Sequence, residues 1–383
     1  MEAIDEIVIL GGGPVGLLAA LLIGQDQINI NVFEKKTRNE LISTKRSLAL
    51  SLSTVGVLKK VGIDAEINNS FIPIKKIHTS QKDSFGRVVI GNEDNIPVGY
   101  VINYGILSKL LLDQIKAKKN ILFFHKKNIT KVDSKKQELI LTNNEKIIYK
   151  FLIVSDGGEN LLNSDFRYDK NKDFENLYGI VSDISTDYKH NNCAYERFLK
   201  TGPMALLPID NMNQSALIWT GNKSYIELLM KLNNIEFKKQ IEKEFGERLG
   251  DVLQVGEKYL FPLKQKKLIK FYDKNILVFG NASHVLHPVA GQGFNLSVRD
   301  INSFQKLAKE KNYVLDLSFL NEYSSEREIE INRVMKVTKN IVNLFRNNIF
   351  GVSKLRSFGL FSLDNTSILK SIFTHKMNFG KNE

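Results

Sequence analysis

Short apolar runs of strand length, each followed by a loop rich in glycine or polar residues, recur through this chain and predict alternating strands and helices. The first, Ile7 to Leu10, has the length of a buried parallel strand; glycines follow it, and then a run from Val15 to Ile23 with helical spacing. A second apolar strand is predicted over Ile28 to Phe33, ending at Glu34. Near the other end, NILVFGNASHVLHPVAGQGFN predicts a buried strand over Ile276 to Phe279, a loop, and a helix beginning near Gly293. Between them lie a strand pair near Ile74 to Ile90 and a strand-rich block from about 177 to 267. No internal repeat, low-complexity linker or proline-rich boundary divides these segments.

The first strand, loop and helix carry chemistry. Gly11, Gly13 and Gly16 fit G-x-G-x-x-G, with Pro14 and Val15 inside the motif. In such a motif the first glycine makes the tight turn, the second admits a pyrophosphate to the backbone, and the third lets helix and strand pack closely. The helix start then offers free N–H groups to phosphate. Glu34 stands 18 residues after Gly16, followed by Lys35, where an acidic side chain accepts hydrogen bonds from a ribose diol. This constellation predicts a dinucleotide site and does not by itself distinguish FAD from NAD.

Composition narrows the partners. The 383 residues are 43% hydrophobic and 25% charged, ordinary values for a globular protein with a sizeable core. A net charge of +12 admits nucleic acid, an anionic membrane surface or acidic small molecules. The lysines are scattered and no nucleic-acid module or Arg-aromatic interleaving accompanies them, so nucleic acid is not an expected partner. The single cysteine, Cys193, excludes an internal disulfide and a cysteine-based zinc cluster; no metal site is predicted. The apolar run at Val15 follows an acidic leader of Glu2, Asp5 and Glu6, which argues against a secretory signal. No window offers the roughly 20 consecutive apolar residues of a membrane span. The expected location is cytoplasmic.

KRSLALSLSTVGVLKKVGI (Lys45 to Ile63), FLIVSDGG (Phe151 to Gly158) and the Gly280 to Asn295 stretch follow the glycine motif in the order and spacing of single-component flavin monooxygenases of the para-hydroxybenzoate hydroxylase type, which the chain resembles. YERFLKTGPMALLPI (Tyr195 to Ile209), ALIWT (Ala216 to Thr220), FPLK (Phe261 to Lys264) and the tail LFRNNIFGVSKLRSFGLFSLD are similar to the ubiquinone-biosynthesis hydroxylases, the UbiH, UbiF and UbiI group. The similarity runs from about residue 6 to about 380 and does not select a member.

That resemblance implies an α/β fold: a Rossmann-like FAD-binding domain with an interleaved β-sheet substrate domain and C-terminal helices. The FAD domain would comprise residues 1–72, 98–176 and 268–340, the sheet domain 73–97 and 177–267, and the helical region 341–383. It implies FAD as cofactor, O2 as co-substrate, and a reduced nicotinamide or another electron donor. Gly11, Gly13, Pro14, Val15, Gly16, Glu34 and Lys35 would hold the AMP half of FAD, and Arg46 would lie over the phosphates. Asp156 and Gly157 would reach the pyrophosphate region, and Gly280 with residue 281 the ribityl chain. Pro288, Gly291, Gln292, Gly293, Phe294 and Asn295 would lie beside the isoalloxazine ring, with Pro288, Gly291 and Gln292 the catalytic loop and no firm acid or base. Backbone N–H groups of a helix start suit the anionic reduced flavin.

The chain departs from that pattern at two places. Asn281 stands where the family carries Asp; it keeps an acceptor oxygen but loses the charge, so weaker FAD retention is expected. Asn160 and Asn163 stand where Ser and Arg usually follow Asp-Gly, which bears on the electron donor. His287, beside Pro288, reads as structural or as a general base, and His284 as structural.

The activity implied is hydroxylation of the ring of a polyprenylated phenol in ubiquinone biosynthesis, through a flavin C4a-hydroperoxide, with the cofactor supplying the chemistry. Two alternatives stay open: a catabolic or secondary-metabolite phenol hydroxylase, and a non-catalytic flavin-binding member of a quinone-biosynthesis complex. Tyr195, Phe198, Met204, Leu206 and Trp219 are compatible with pocket lining or with core. Aromatic and basic residues between 341 and 377 suit either peripheral membrane association or a cover for the FAD domain.

Overall fold

The computed structural model describes residues 4–346 except 85, 92–95, 159–165, 171–173, 175 and 211. The apolar runs Glu6–Leu10, Leu152–Val154 and Ile276–Val278 become central strands of a six-stranded sheet whose two faces are covered. Its order is Tyr272–Asp273, Ile276–Val278, Leu152–Val154, Glu6–Leu10, Asn29–Phe33, Ile121–Phe124. The last five are parallel, and the short first strand is antiparallel. Pro14–Gly24 packs so deeply against it that Leu17, Leu18, Ala19, Ala20 and Ile23 are fully buried. The predicted helix after the second glycine loop is Gln292–Glu310.

A second, eight-stranded sheet is ordered Val252–Val255, Leu177–Thr186, Gln214–Asn222, Gly202–Ile209, Cys193–Leu199, Lys76–Gln81, Arg87–Ile90, with Tyr259–Pro262 also paired to Leu177–Thr186. Its pairings are antiparallel except that Cys193–Leu199 runs parallel to Lys76–Gln81, so a segment early in the chain completes a sheet made mostly of residues after 176. The predicted pair near Ile74 to Ile90 is the pair Lys76–Gln81 and Arg87–Ile90.

Alternation gives this sheet two faces. One carries Ile180, Met204, Leu206, Leu217 and Trp219, buried beneath the helices Lys223–Lys231 and Asn234–Phe245 through Ile226, Leu229, Phe237 and Ile241. The other faces the six-stranded half: Leu177 packs on Val289, and Ala194 on Ile74 and Val101. Of the residues compatible with pocket lining, Tyr195, Met204, Leu206 and Trp219 therefore belong to the helix-covered face. Phe198 lies on the inner face but is itself buried. Residues 347–377 of the aromatic and basic tail, like Asn160 and Asn163, lie outside the described residues.

Candidate functional site

Four loops meet at the carboxyl ends of adjacent parallel strands, where open α/β sheets place their ligands. They are the glycine loop after Leu10, Glu34 after Phe33, Ser155 to Gly158 after Val154, and Gly280–Asn281 after Val278. The strands hold them in register: the Gly11 N–H donates to the Phe33 carbonyl at 2.9 Å, and the Ser155 N–H to the Leu10 carbonyl at 2.7 Å.

The glycines differ in what surrounds them. A Cβ on Gly16 would lie 1.9 Å from the Gly11 carbonyl oxygen, so helix and strand meet there with no room for a side chain. Gly11 has φ +106°, and its Cβ would fall 2.6 Å from the Ser155 backbone. A Cβ on Gly157 or Gly293, by contrast, would meet nothing within 4 Å. Open space thus borders the loop after Leu152–Val154 and the start of the helix Gln292–Glu310.

Both helices that begin at the site lack a side-chain cap. Pro14–Gly24 starts after Gly13 and Gln292–Glu310 after Gly291, and neither has an acid in its first turn. Thr37, Ser51, Asn103 and Asn233 cap their own helices with side-chain oxygens. The unsatisfied N–H groups and positive dipole ends of the first two helices remain available to an anion. Gly291 turns the chain into its helix in the left-handed region, with φ +59°.

Glu34 is buried and oriented by backbone groups: the Gly12 N–H donates to Oε2 at 2.6 Å and the Lys36 N–H to Oε1 at 2.8 Å. A carboxylate has lone pairs to spare after two such bonds and can still accept from a diol. Lys35, beside it, is exposed. Tyr104, which belongs to none of the motifs, stands over the glycine loop, its hydroxyl 2.7 Å from where a Gly13 Cβ would be. Burial pushes that hydroxyl up to about 12, with exposed Arg46 pulling it down and Glu34 adding to the rise. A phenol kept neutral beside a guanidinium can donate to a phosphate oxygen.

Asp156 accepts from the Gly158 N–H at 3.0 Å, and Gly158 faces the Asn281 carbonyl, so these two loops adjoin. The Asn281 side chain is exposed, while Gly280, at φ +62°, brings the backbone against Val15. Pro288, Gln292, Gly293 and Phe294 are partly exposed along the next loop. Asn295 is buried and its side chain is a clamp: Oδ1 accepts from the Ser51 N–H and the Thr54 hydroxyl, and Nδ2 donates to the carbonyls of Ala49 and Gly291.

Both histidines are buried and hydrogen-bonded. His287 is buried and its Nδ1 accepts from the Val289 N–H at 3.2 Å. His284 is buried 2.6 Å from Asp300, which also binds Arg327 at 2.8 Å. Burial alone would lift the Asp300 carboxyl, but Arg327 and His284 together hold it below the usual carboxylate range.

An uncapped helix start at each end of the site, a glycine cradle and a strand-end acid define a protein built to hold a dinucleotide. The sequence pattern of the FAD binding domain family matches residues 5–338, and the chain belongs to that family. It is 25% identical over 396 residues to the ubiquinone hydroxylase UbiL of Rhodospirillum rubrum, spanning 97% of this chain and 89% of that protein. It is 24% identical over 390 residues to the 3-demethoxyubiquinol 3-hydroxylase of Escherichia coli, spanning 95% and 96%. The solved structure of p-nitrophenol 4-monooxygenase from Pseudomonas putida shares the fold over 99% of both chains, with a TM-score of 0.79 at 15% identity. Among the described residues no group of three His, Cys, Asp or Glu could hold a metal, and no helix is long and apolar enough to cross a membrane.

Proposed function

We propose that this protein hydroxylates the aromatic ring of a polyprenylated phenol in ubiquinone biosynthesis, with FAD as cofactor and O2 as co-substrate. The observation that carries the reading is open space at Gly293 beside an uncapped helix start that faces a second sheet. The chain-long likeness to two hydroxylases of ubiquinone precursors supplies the substrate class. When bound, FAD supplies oxygen activation; the rest is positioning by the chain.

Glu34 accepts from the adenosine ribose, and the helix start after Gly13, Arg46 and Tyr104 take the phosphates. Asp156, Gly157, Gly280 and Asn281 hold the pyrophosphate and ribityl region. Pro288 and Gly291 to Asn295 would line the ring, and the uncapped N–H groups at the start of the helix Gln292–Glu310 would be the donors available to it. The side chain of Asn295 fixes this loop to Ala49 and Ser51, so the donors are set before the ring arrives, which is how oriented dipoles act on developing charge. The inner face of the eight-stranded sheet excludes water from above. The prenyl tail brings the protein to a membrane surface or to a complex that delivers the substrate.

Gly293→Ala tests the placement of the ring. In the protein without cofactor it should be neutral or stabilising by up to about 1 kcal/mol, because alanine favours helix and its Cβ has room. FAD affinity, read by flavin fluorescence, should fall. Gly56→Ala, also in open helical surroundings, should stabilise without touching FAD affinity. Unchanged FAD binding in Gly293→Ala would move the ring away from this helix.

Asn281 gives a second series. Asn281→Asp should bind FAD at least as well as the parent, and Asn281→Leu worse, because a cofactor hydroxyl loses its partner. Equal affinity for Leu and Asn at this position would remove residue 281 from the site. The reading as a whole is checked in cells: deletion of the gene, with any paralogous hydroxylase also removed, should lower ubiquinone and accumulate an under-hydroxylated prenyl phenol by mass spectrometry. A normal ubiquinone profile would favour the catabolic phenol hydroxylase.

A further inference from the structure

The inner face of the eight-stranded sheet carries a row of residues paired across five strands: Thr79, Glu196, Ala205, Ile218 and Val181. Its orientation follows from residues of the same parity. Leu177 on that face packs against Val289 of the ring-binding loop, and Ala194, with Leu207 and Ile209 nearby, against Ile74 and Val101. These contacts close two sides, yet all five residues of the row remain partly exposed. On the opposite face Ile180, Met204, Leu206, Leu217 and Trp219 are all buried. The row therefore borders space between the sheet and the cofactor half, not packed core.

Of its five members Glu196 alone is ionisable. Among the described residues no hydrogen bond or ion pair engages its carboxyl, and burial lifts it to about 8, so that it is mostly protonated at neutral pH. The other acid on this face, Asp183, lies two residues beyond Val181 and is exposed, where water serves it. A carboxyl among Thr, Ala, Ile and Val without a protein partner is left to water that enters this space, and a ligand hydroxyl can take that water's place.

We propose that Glu196 is the polar anchor for the substrate, its carboxyl hydrogen-bonding the ring hydroxyl of a phenol held between the sheet and the loop Pro288 to Asn295. This rests on the hydroxylase reading above and adds to it the residue that recognises the oxygen. The carboxyl, when protonated, donates to the ring oxygen or accepts the phenol proton through its carbonyl oxygen; either bond orients one ring edge toward the sheet and the opposite edge toward the cofactor. The apolar row beside it gives the ring and the start of its prenyl chain a dry wall. A phenol is thereby distinguished from its methyl ether, whose oxygen can accept but not donate and whose methyl group occupies the space against the carboxyl.

The test is equilibrium binding to the FAD-loaded, oxidised protein without reductant, using a short-chain prenylated phenol and its methyl ether, followed by the change in flavin absorbance. The parent should prefer the phenol by about tenfold or more, the worth of one buried hydrogen bond. Glu196→Leu should bind both ligands alike by losing affinity for the phenol, and Glu196→Gln, which keeps a donor and an acceptor, should restore the preference. Ala205→Leu, which fills the wall next to Glu196, should weaken both ligands and leave their ratio unchanged. Flavin content equal to the parent shows that each variant is folded. If Glu196→Leu keeps the parent's preference and affinity, or if Ala205→Leu leaves both affinities unchanged, the anchor is overturned while the hydroxylase reading stands. If the FAD-loaded parent binds neither ligand, the hydroxylase reading itself fails and the anchor with it.

Discussion

Gly16→Val should leave the protein without flavin and poorly folded. Even the first carbon of the new side chain would lie 1.9 Å from the Gly11 carbonyl oxygen and 2.7 Å from the Ser155 hydroxyl, so the helix Pro14–Gly24 has to move off its strand. That movement unpacks Leu17, Leu18 and Ile23, which are wholly buried, and it displaces the uncapped helix start proposed to take the cofactor phosphates. Overpacking alone costs about 1–3 kcal/mol, and a backbone clash of this kind belongs at or beyond the upper end. Urea unfolding read by circular dichroism should show a large drop in midpoint, and the purified protein should lack flavin absorbance. A Gly16→Val protein with parental midpoint and full flavin would mean that helix and strand do not approach as described.

Asp300→Ala is the second large effect, and it acts outside the cofactor loops. Asp300, on the helix Gln292–Glu310, is buried between His284 and Arg327, and Arg327 continues to Glu330, which also binds Arg299. Removing the carboxylate leaves the buried Arg327 guanidinium with Glu330 alone and takes away the partner of buried His284, a loss of up to about 3–5 kcal/mol, the range for deleting one partner of a buried pair. Against a total stability of about 5–15 kcal/mol this threatens folding at physiological temperature. Its pH dependence has a definite sign: because the folded-state pKa is depressed, the pair contributes fully above the ordinary value of 3.8 and is lost only as pH falls below it. Thermal unfolding should show the deficit of Asp300→Ala at neutral pH and its narrowing in stronger acid. A constant deficit across that range would assign the effect to lost packing instead of charge.

The parallel sheet could be anticipated because strands covered on both faces read as apolar runs, as Ile7–Leu10 and Ile276–Phe279 do, whereas Ile28–Phe33 alternates its apolar residues with Asn29 and Asn31. The glycine loop could be anticipated because its spacing follows from backbone needs alone. The second sheet was readable as strands but not by face. Both of its faces are apolar, so alternation in YERFLKTGPMALLPI separates Tyr195, Met204 and Leu206 from Glu196 and Ala205 without telling which set meets the helices. Glu196 did leave a trace, an acid between Ala194 and Phe198 at the spacing of one strand face, but its surroundings come from four other strands. Asn295 reads as one more residue of a ring-binding loop, whereas its side chain joins positions about 240 residues away. His284, Asp300 and Arg327 are too far apart in sequence for any local pattern to unite them, and Tyr104 reaches Gly13 only through the fold.

Oxygen insertion into a phenol ring can be followed in a single turnover with labelled oxygen. FAD-loaded protein, reduced by dithionite without air and supplied with a prenylated phenol, is mixed with 18O-labelled dioxygen, and the product is analysed by mass spectrometry. A ring-hydroxylated product carrying one labelled oxygen atom is expected, with none formed when the protein is omitted. Reoxidation of the flavin with the phenol recovered unlabelled and unchanged would contradict it.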